Sequence, residues 1–126
     1  MKSLWCFFLL APLCLSLSCG SSRQLQSISI SQTVVGTRIQ FVATGKFSSM
    51  PTTVSPLPAD WTIGLMAPPP PQFTYTLTTT PYVIDCSNAM PNPPLPVVAF
   101  APNDPSAPMS GTTKKVVTAS ASFTCP

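Results

Sequence analysis

The side chains that usually carry enzyme chemistry are scarce in this sequence of 126 residues. It contains no histidine and no glutamate, and its only acidic residues are Asp60, Asp85 and Asp104. General acid–base catalysis commonly uses histidine or paired carboxylates, and a serine triad also needs a histidine. Three aspartates this far apart do not form the clustered loop of an EF-hand, and Asp60 and Asp104 are typical of turns. The sequence therefore predicts a protein that is not an enzyme and that binds no metal or other cofactor.

The five cysteines are the remaining residues with chemistry of their own, and their positions decide what each can do. Cys6 and Cys14 lie in an N-terminal segment in which the charged Lys2 is followed by a largely apolar run of 14 residues, Leu4 to Leu17. This order is typical of a secretory signal peptide. The apolar run is also shorter than the roughly 20 residues that a membrane-spanning helix needs. We therefore predict a leader at residues 1–18 that is removed on export.

The end of this leader, Leu15-Ser16-Leu17-Ser18-Cys19, resembles the lipobox of bacterial lipoproteins. It departs from that family at Ser16, where leucine is most frequent. The resemblance implies that Cys19 receives several acyl chains, which together give stable membrane anchoring. Residues 19–24 would then be a tether, and Gly20 after the cysteine favours delivery to the outer membrane in a cell with two membranes. The alternative is cleavage without lipid, which would release a soluble secreted protein.

Two cysteines remain after the leader, Cys86 and Cys125, and they predict one disulfide. Paired thiols in an exported protein are usually oxidised. The bond would close a loop of about 40 residues and would stabilise the fold by about 4 kcal/mol through the entropy of the unfolded chain. The alternative is a pair of separate buried thiols. Two cysteines without a histidine are too few ligands for a zinc site.

Alternation of apolar and polar residues predicts that the mature domain, residues 25–126, is all-β. Seventeen prolines and few charged residues argue against long helices. Seven segments read as strands: 27–31, 38–44, 61–65, 73–77, 82–86, 97–101 and 117–125. Seven strands in about 100 residues fit an immunoglobulin-like β-sandwich. Phe41, Phe123 and both cysteines fall on the predicted inner faces, whereas periodicity does not orient the continuous apolar run at 97–101.

Trp61 has two interpretations. It alternates with polar residues on the same predicted face as Ile63 and Leu65, which predicts a tryptophan in the core. The alternative is an exposed ring that stacks on a sugar, and Tyr75 and Tyr82 have the same two interpretations.

Proline-dense segments connect the predicted strands, and the longest run is at 68–71. We interpret them as rigid loops that lower the entropy of the unfolded chain and cannot donate hydrogen bonds to a stray strand. The alternative is that the four prolines at 68–71 form an exposed polyproline II ligand for an aromatic groove.

Positive charges are few and scattered. Removal of the leader leaves two arginines and three lysines: Arg23, Arg38, Lys46, Lys114 and Lys115. A nucleic-acid-binding surface normally needs a dense basic stripe that neutralises phosphates. The sequence therefore predicts no nucleic-acid partner.

Part of the mature chain resembles bacterial Ig-like domains. The resemblance rests on the segment GTRIQFVATGKF at 36–47 with Ser27-Ile28-Ser29-Ile30 before it, on Trp61 as the strand-C tryptophan, and on a closing strand from Gly111 to Ala119. The sequence departs from the family in the middle, where proline-rich loops and the Cys86 strand replace short turns. The resemblance implies a sandwich found in adhesins, surface-layer proteins and enzyme accessory modules, with no catalytic residues in common.

Together these features predict a non-enzymatic, lipid-anchored module of the cell envelope with an adhesive, structural or binding role. Its membrane contact would be the lipid on Cys19, and the residues do not specify a protein or glycan partner. Two alternatives are a soluble secreted binding or inhibitor protein and an accessory subunit of a larger envelope complex.

Overall fold

The computed structural model describes residues 23–64, 76–88, 93–106 and 115–125. The predicted leader, Cys19 and the proline run at 68–71 lie outside these residues. The described segments form seven strands: β1 Leu25–Val35, β2 Arg38–Phe47, β3 Thr53–Val54, β4 Asp60–Ile63, β5 Tyr82–Asp85, β6 Leu95–Pro102 and β7 Val116–Phe123.

The strands form two antiparallel sheets that pack against each other. In the first sheet, β2 pairs with β1 along one edge, while β5 and β3 share its other edge. The second sheet has the order β4-β6-β7. Side chains from both sheets meet in one core, where Ala43 of β2 clusters with Ala99 of β6. The predicted all-β sandwich of about seven strands is confirmed.

The β1–β2 hairpin has the tightest connection that antiparallel strands allow. Val35 pairs with Arg38, so only Gly36 and Thr37 form the turn. Gly36 has φ of +61°, and no residue other than glycine has positive φ in the described segments. Positive φ at the first turn position alone is the type II′ arrangement, which matches the twist of the flanking strands. This turn fixes the register that sends alternate residues of β2 inward.

Strand β6 is buried on both of its faces. Val97 and Ala99 face the core between the sheets, whereas Val98 and Phe100 form a separate buried cluster on the outer face of the second sheet. Leu77 and Val116 pack against that outer cluster. The continuous apolar run at 97–101 therefore reflects burial on two sides, which is why it shows no alternation.

The prediction for the segment after Trp61 is wrong at Ile63, which is 46% exposed. Ile63 is paired with the buried Val97, but it is the last residue of an edge strand that ends before Gly64, where φ is +80°. Its side chain thus lies where the sandwich no longer covers it. Leu65 lies outside the described residues.

The predicted strand at 73–77 is not a regular strand where the structure describes it. Thr76 and Leu77 lie outside any strand, and Thr78 makes an isolated bridge with Ala59 through two backbone hydrogen bonds of 3.0 and 3.1 Å. The structure instead contains the short strand β3, Thr53–Val54, which was not predicted, so the number of strands is still seven. Residues 73–75 lie outside the described part of the chain.

Asp85, at the end of β5, provides a pH-dependent contribution to stability. Its carboxylate accepts a 2.9 Å hydrogen bond from the Ser87 backbone N–H and lies 3.4 Å from Nε of Arg38. These contacts lower the pKa of Asp85, with the Ser87 hydrogen bond as the largest cause and the Arg38 charge as a smaller one. A lowered pKa in the folded state stabilises the fold above the unfolded pKa, and this contribution is lost as pH falls through the folded value.

We expect Asp85→Asn to lower stability slightly at pH 7 and by less at pH 2, because the contribution of the ionised carboxylate is lost as the pH falls through its lowered pKa. Urea unfolding of both proteins at the two pH values measures this difference. The two unfolding midpoints should converge below about pH 4, the ordinary range for aspartate. A gap that stays constant down to pH 2 would contradict the assignment.

Candidate binding pocket

A cavity of about 340 Å³ opens at the end of the sandwich where β1 begins. We call it the tether-end pocket. Both sheets contribute to its walls, and most of the lining is apolar: Arg23, Leu25, Phe47, Val54, Leu57, Pro58, Leu77, Ala101, Pro102 and Pro105. Concave, mainly apolar cavities of this kind are typical of sites for small ligands.

The inner wall is set by the ends of β1 and β2. Phe47 is the last inward residue of β2, and Leu25 pairs with it across the hairpin. The register shifts between Leu25 and Ser27, which is the irregularity of a β-bulge. Ile28 and Ile30 point inward, so strict alternation would point Leu25 outward. Because the bulge adds one residue to the strand, Leu25 points inward instead. The bulge thus places an extra leucine in the pocket.

Asn103 fixes this end of the sandwich by joining three strand ends. Its backbone carbonyl accepts the Leu25 N–H at 2.7 Å, and its side-chain amide donates to the Leu25 carbonyl at 2.8 Å. Its own N–H donates to the Lys115 carbonyl at 2.8 Å. These bonds connect the start of β1 to the end of β6 and to the residue before β7. The first wall of the pocket is therefore held to the second sheet.

Gly45 leaves the space that two of the lining leucines occupy. A Cβ atom built at Gly45 would lie 2.8 Å from Cδ1 of Leu25 and 2.8 Å from Cδ1 of Leu57. Such contacts are too close for carbon atoms, so both side chains would have to move. The cavity beside them is where they can move.

We expect Gly45→Ala to reduce the volume of the pocket and to lower the free energy of unfolding only slightly. The ends of the two leucine side chains shift into the cavity, so the loss of stability should be about 1 kcal/mol, the lower end for an inserted methyl group in a packed core. Urea unfolding measures this cost. A loss of about 3 kcal/mol, the upper end of that range, would show that the leucines cannot move.

Arg23 lies at the mouth of the pocket and is held in place by three contacts. Its guanidinium carbon lies 3.8 Å from the centre of the Phe47 ring, which is a cation–π arrangement. Nε donates to the Ser49 carbonyl at 3.2 Å, and Nη2 donates to the Pro51 carbonyl. A permanently positive group is therefore fixed beside an apolar cavity.

The predicted disulfide is confirmed and lies near the β1–β2 turn. Cys86 and Cys125 are bonded with their Cα atoms 5.6 Å apart, and both are buried. Cys86 follows β5 of the first sheet and Cys125 follows β7 of the second, so the bond joins the two sheets covalently. The Cys86 N–H donates to the Thr37 carbonyl in the β1–β2 turn at 2.8 Å. The bond thus fastens the end of the sandwich at which the hairpin turns.

An aromatic cluster lies beside the disulfide. Phe41 is completely buried and Phe123 is 5% exposed, with their ring centres 6.0 Å apart. Trp61 is half-buried and stacks on Tyr82, with ring centres 5.6 Å apart and an angle of 4° between the planes. One face of the Trp61 ring is therefore occupied by Tyr82. A sugar would have to use the other face or displace the tyrosine. Tyr75 lies outside the described residues.

Asp60 and Asp104 accept hydrogen bonds from backbone N–H groups and from one hydroxyl. Asp60 accepts the Trp61 N–H at 2.8 Å and the Thr76 N–H at 3.2 Å, and Asp104 accepts the N–H and hydroxyl of Ser106 at 2.9 and 2.7 Å. Within the described segments there is no group of three or more His, Cys, Asp or Glu side chains placed to hold a metal ion. The same segments contain no helix long and apolar enough to cross a membrane.

Sequence reasoning did not identify the tether-end pocket. Its residues come from β1, β2, β3, β6, the segments between strands and Arg23 before β1, and no motif connects them. The one local signal is Leu57, an isolated apolar residue between Pro56 and Pro58 that is 5% exposed. Comparisons of the chain with protein-family models, with curated proteins and with solved structures gave no match.

Proposed function

We propose that this protein is a non-enzymatic binding module of the bacterial cell envelope, anchored through lipid on Cys19, that holds a small amphipathic ligand in the tether-end pocket. The pocket is the observation that carries this proposal. Sites for small molecules usually occupy about 300 to 1,000 Å³ and combine apolar walls with a few polar groups. A cavity of about 340 Å³ suits a short acyl chain or a small ring system.

Arg23 indicates the charge of the ligand. A guanidinium has five N–H donors, and the Ser49 and Pro51 carbonyls each accept from one nitrogen of Arg23. The remaining donors can bind a carboxylate, sulfonate or phosphate, and such charge-assisted hydrogen bonds are stronger than neutral ones. The best match is therefore an anionic amphiphile whose apolar part enters the cavity and whose head group stays at Arg23.

The position of the pocket supports a role close to a membrane. Only three residues separate Cys19 from Arg23, and an extended stretch of four residues reaches at most about 14 Å. A lipid on Cys19 would therefore hold the mouth of the pocket near the bilayer surface, where amphipathic molecules concentrate. The disulfide between Cys86 and Cys125 supports export, because such bonds persist in oxidising compartments.

The anchor is tested by producing the full chain, with its leader, in a bacterial host as wild type and as Cys19→Ala. We expect the wild type in the membrane fraction and Cys19→Ala in the soluble exported fraction. Ser21→Ala is the matched control, because Ser21 lies two residues after the cysteine and its replacement should leave the distribution unchanged. An unchanged distribution of Cys19→Ala would refute lipid anchoring and favour the soluble secreted binding protein.

The pocket is tested with 1-anilinonaphthalene-8-sulfonate, which joins an apolar ring system to an anionic group. We expect saturable binding of one probe per chain, competition by dodecanoate, and binding at least tenfold weaker in Arg23→Gln, since a hydrogen bond to a charged group contributes about 1.5 to 3 kcal/mol. Arg38→Gln is the control, because Arg38 does not line the pocket. Gly45→Ala should also weaken binding. Equal loss in both arginine variants, or no saturation, would contradict the proposal.

A further inference from the structure

We infer that β1 is a self-pairing edge, through which two copies of this chain associate antiparallel about Ser29 and join their first sheets into one. This inference does not depend on the ligand or on the lipid anchor. It rests on the free edge of β1, on the direction of its backbone groups and on a symmetry in its sequence.

The outer edge of β1 has no strand partner in the part of the chain that the structure describes. As a strand, β1 pairs only with β2, through Leu25 and residues 27–35, and Leu25 also bonds to Asn103 through its N–H and its carbonyl. The second sheet ends at β7. Some Cα atoms of β7 come within 8 Å of β1, but no backbone hydrogen bond between described residues joins these two strands. An edge of this length with unpaired N–H and C=O groups is a template for another strand.

The hairpin register shows which residues point their backbone groups outward. In a two-residue hairpin the pair next to the turn, here Val35 and Arg38, exchanges both of its hydrogen bonds. Bonded and non-bonded pairs then alternate along the strand. The odd-numbered residues from Ser27 to Val35 therefore bond to β2, and Ile28, Ile30 and Gln32 direct their N–H and C=O groups toward the free edge.

The sequence of β1 has the symmetry that self-pairing needs. Residues 26–32 read Gln-Ser-Ile-Ser-Ile-Ser-Gln, which is the same in both directions with Ser29 at the centre. Antiparallel pairing about Ser29 places Ile28 opposite Ile30 of the second copy. These are the residues whose backbone groups point outward, so the sequence symmetry and the hydrogen-bond pattern select the same register. A two-fold interface of this kind uses one surface on both copies.

The side chains are compatible with this register on both faces of the sheet. Ile28 and Ile30 are half-buried on the inner face and would form apolar cross-strand pairs, while the serines on the outer face are exposed and uncharged. No charged residue and no proline occurs between Gln24 and Thr37. Natural edge strands that avoid pairing commonly carry lysine, proline or a β-bulge. Strand β1 has no lysine or proline, and its bulge, between Leu25 and Ser27, lies at the start of the symmetric segment.

Single cysteines on the outer face test the register directly. The full chain is exported with Cys19→Ser, so that this thiol is absent, and carries Ser27→Cys, Ser29→Cys or Ser31→Cys. Only Ser29 lies opposite itself, with Cα atoms about 4.5 Å apart, a distance that a disulfide spans. We expect Ser29→Cys alone to form a covalent dimer under mild oxidation. Ser27→Cys and Ser31→Cys should cross-link only when mixed with each other.

Charge substitution at the centre provides a second measurement that needs no oxidation. Sedimentation should show that Ser29→Lys and Ser29→Glu each dissociate at least tenfold more readily than the Cys19→Ser parent, because like charges then face each other. An equimolar mixture of the two should dimerise again. Equal cross-linking of all three cysteine variants, or a parent that stays monomeric at millimolar concentration, would overturn the inference.

Discussion

Replacing Cys86 and Cys125 together by alanine is expected to lower the free energy of unfolding by about 4 kcal/mol. The residues are 39 positions apart, so the bond removes a large part of the loop-closure entropy of the unfolded chain. A domain of this size is usually stable by about 5 to 15 kcal/mol, so the loss would be at least about a quarter of the total.

Urea unfolding, followed by the fluorescence of Trp61, measures this prediction. The other tryptophan, Trp5, lies in the predicted leader. Reduction of the wild type by a phosphine should give the same loss as the double alanine variant, which separates the effect of the bond from that of the changed side chains. Equal midpoints for the oxidised and reduced wild type would contradict the prediction.

The disulfide shows what alternation in the sequence can establish. In β7, Ala119, Ala121 and Phe123 are more buried than the residues between them, and Cys125 continues this face beyond the strand. Cys86 continues the inner face of β5 in the same way. Period-two patterns report burial on one side of a sheet, so they identified both cysteines as inward without any knowledge of the fold.

The same patterns fail where burial is not one-sided. Val98 and Phe100 are buried on the outer face of the second sheet, so β6 has no polar face. Its sequence therefore does not indicate which of its residues point toward the core between the sheets. Ile63 lies on the inner face but at the end of an edge strand, where the described residues leave 46% of it exposed. The two residues of β3 are too few for a period. These features depend on which strands become neighbours, and residue spacing along the chain does not contain that information.

The tether-end pocket was not predictable for a related reason. Its walls combine inward residues of β1 and β2 with Leu57, Leu77 and Pro105 from outside the strands. Each of these residues reads as ordinary core or loop in the sequence. Gly45, which has no side chain, lets the lining residues Leu25 and Leu57 lie against the sheet, and Asn103 holds the adjoining strand ends together. The disulfide and the aromatic cluster instead lie toward the opposite end, near the β1–β2 turn.

Phe41→Ala is expected to destabilise the protein by about 4 kcal/mol, within the range for removing a buried phenylalanine side chain. Phe41 has no exposed surface, and its ring centre lies 6.4 Å from Trp61, 6.5 Å from Tyr82 and 6.0 Å from Phe123. It also packs in the cluster that contains Cys86 and Cys125. Three aromatic neighbours held by the disulfide and by two sheets cannot collapse fully into the space, so both transfer energy and a cavity contribute to the cost.

Urea unfolding of Phe41→Ala, Phe41→Leu and Val83→Ala measures this expectation. Val83 is 43% exposed on the neighbouring strand β5, so its truncation should change stability by no more than about 0.5 kcal/mol. Phe41→Leu should fall between the two, because leucine fills part of the volume. The emission of Trp61 should shift to longer wavelength in Phe41→Ala, since water can approach the indole from the side that Phe41 covered. A loss below about 1 kcal/mol, the value typical of an average substitution, would show that Phe41 does not organise this core.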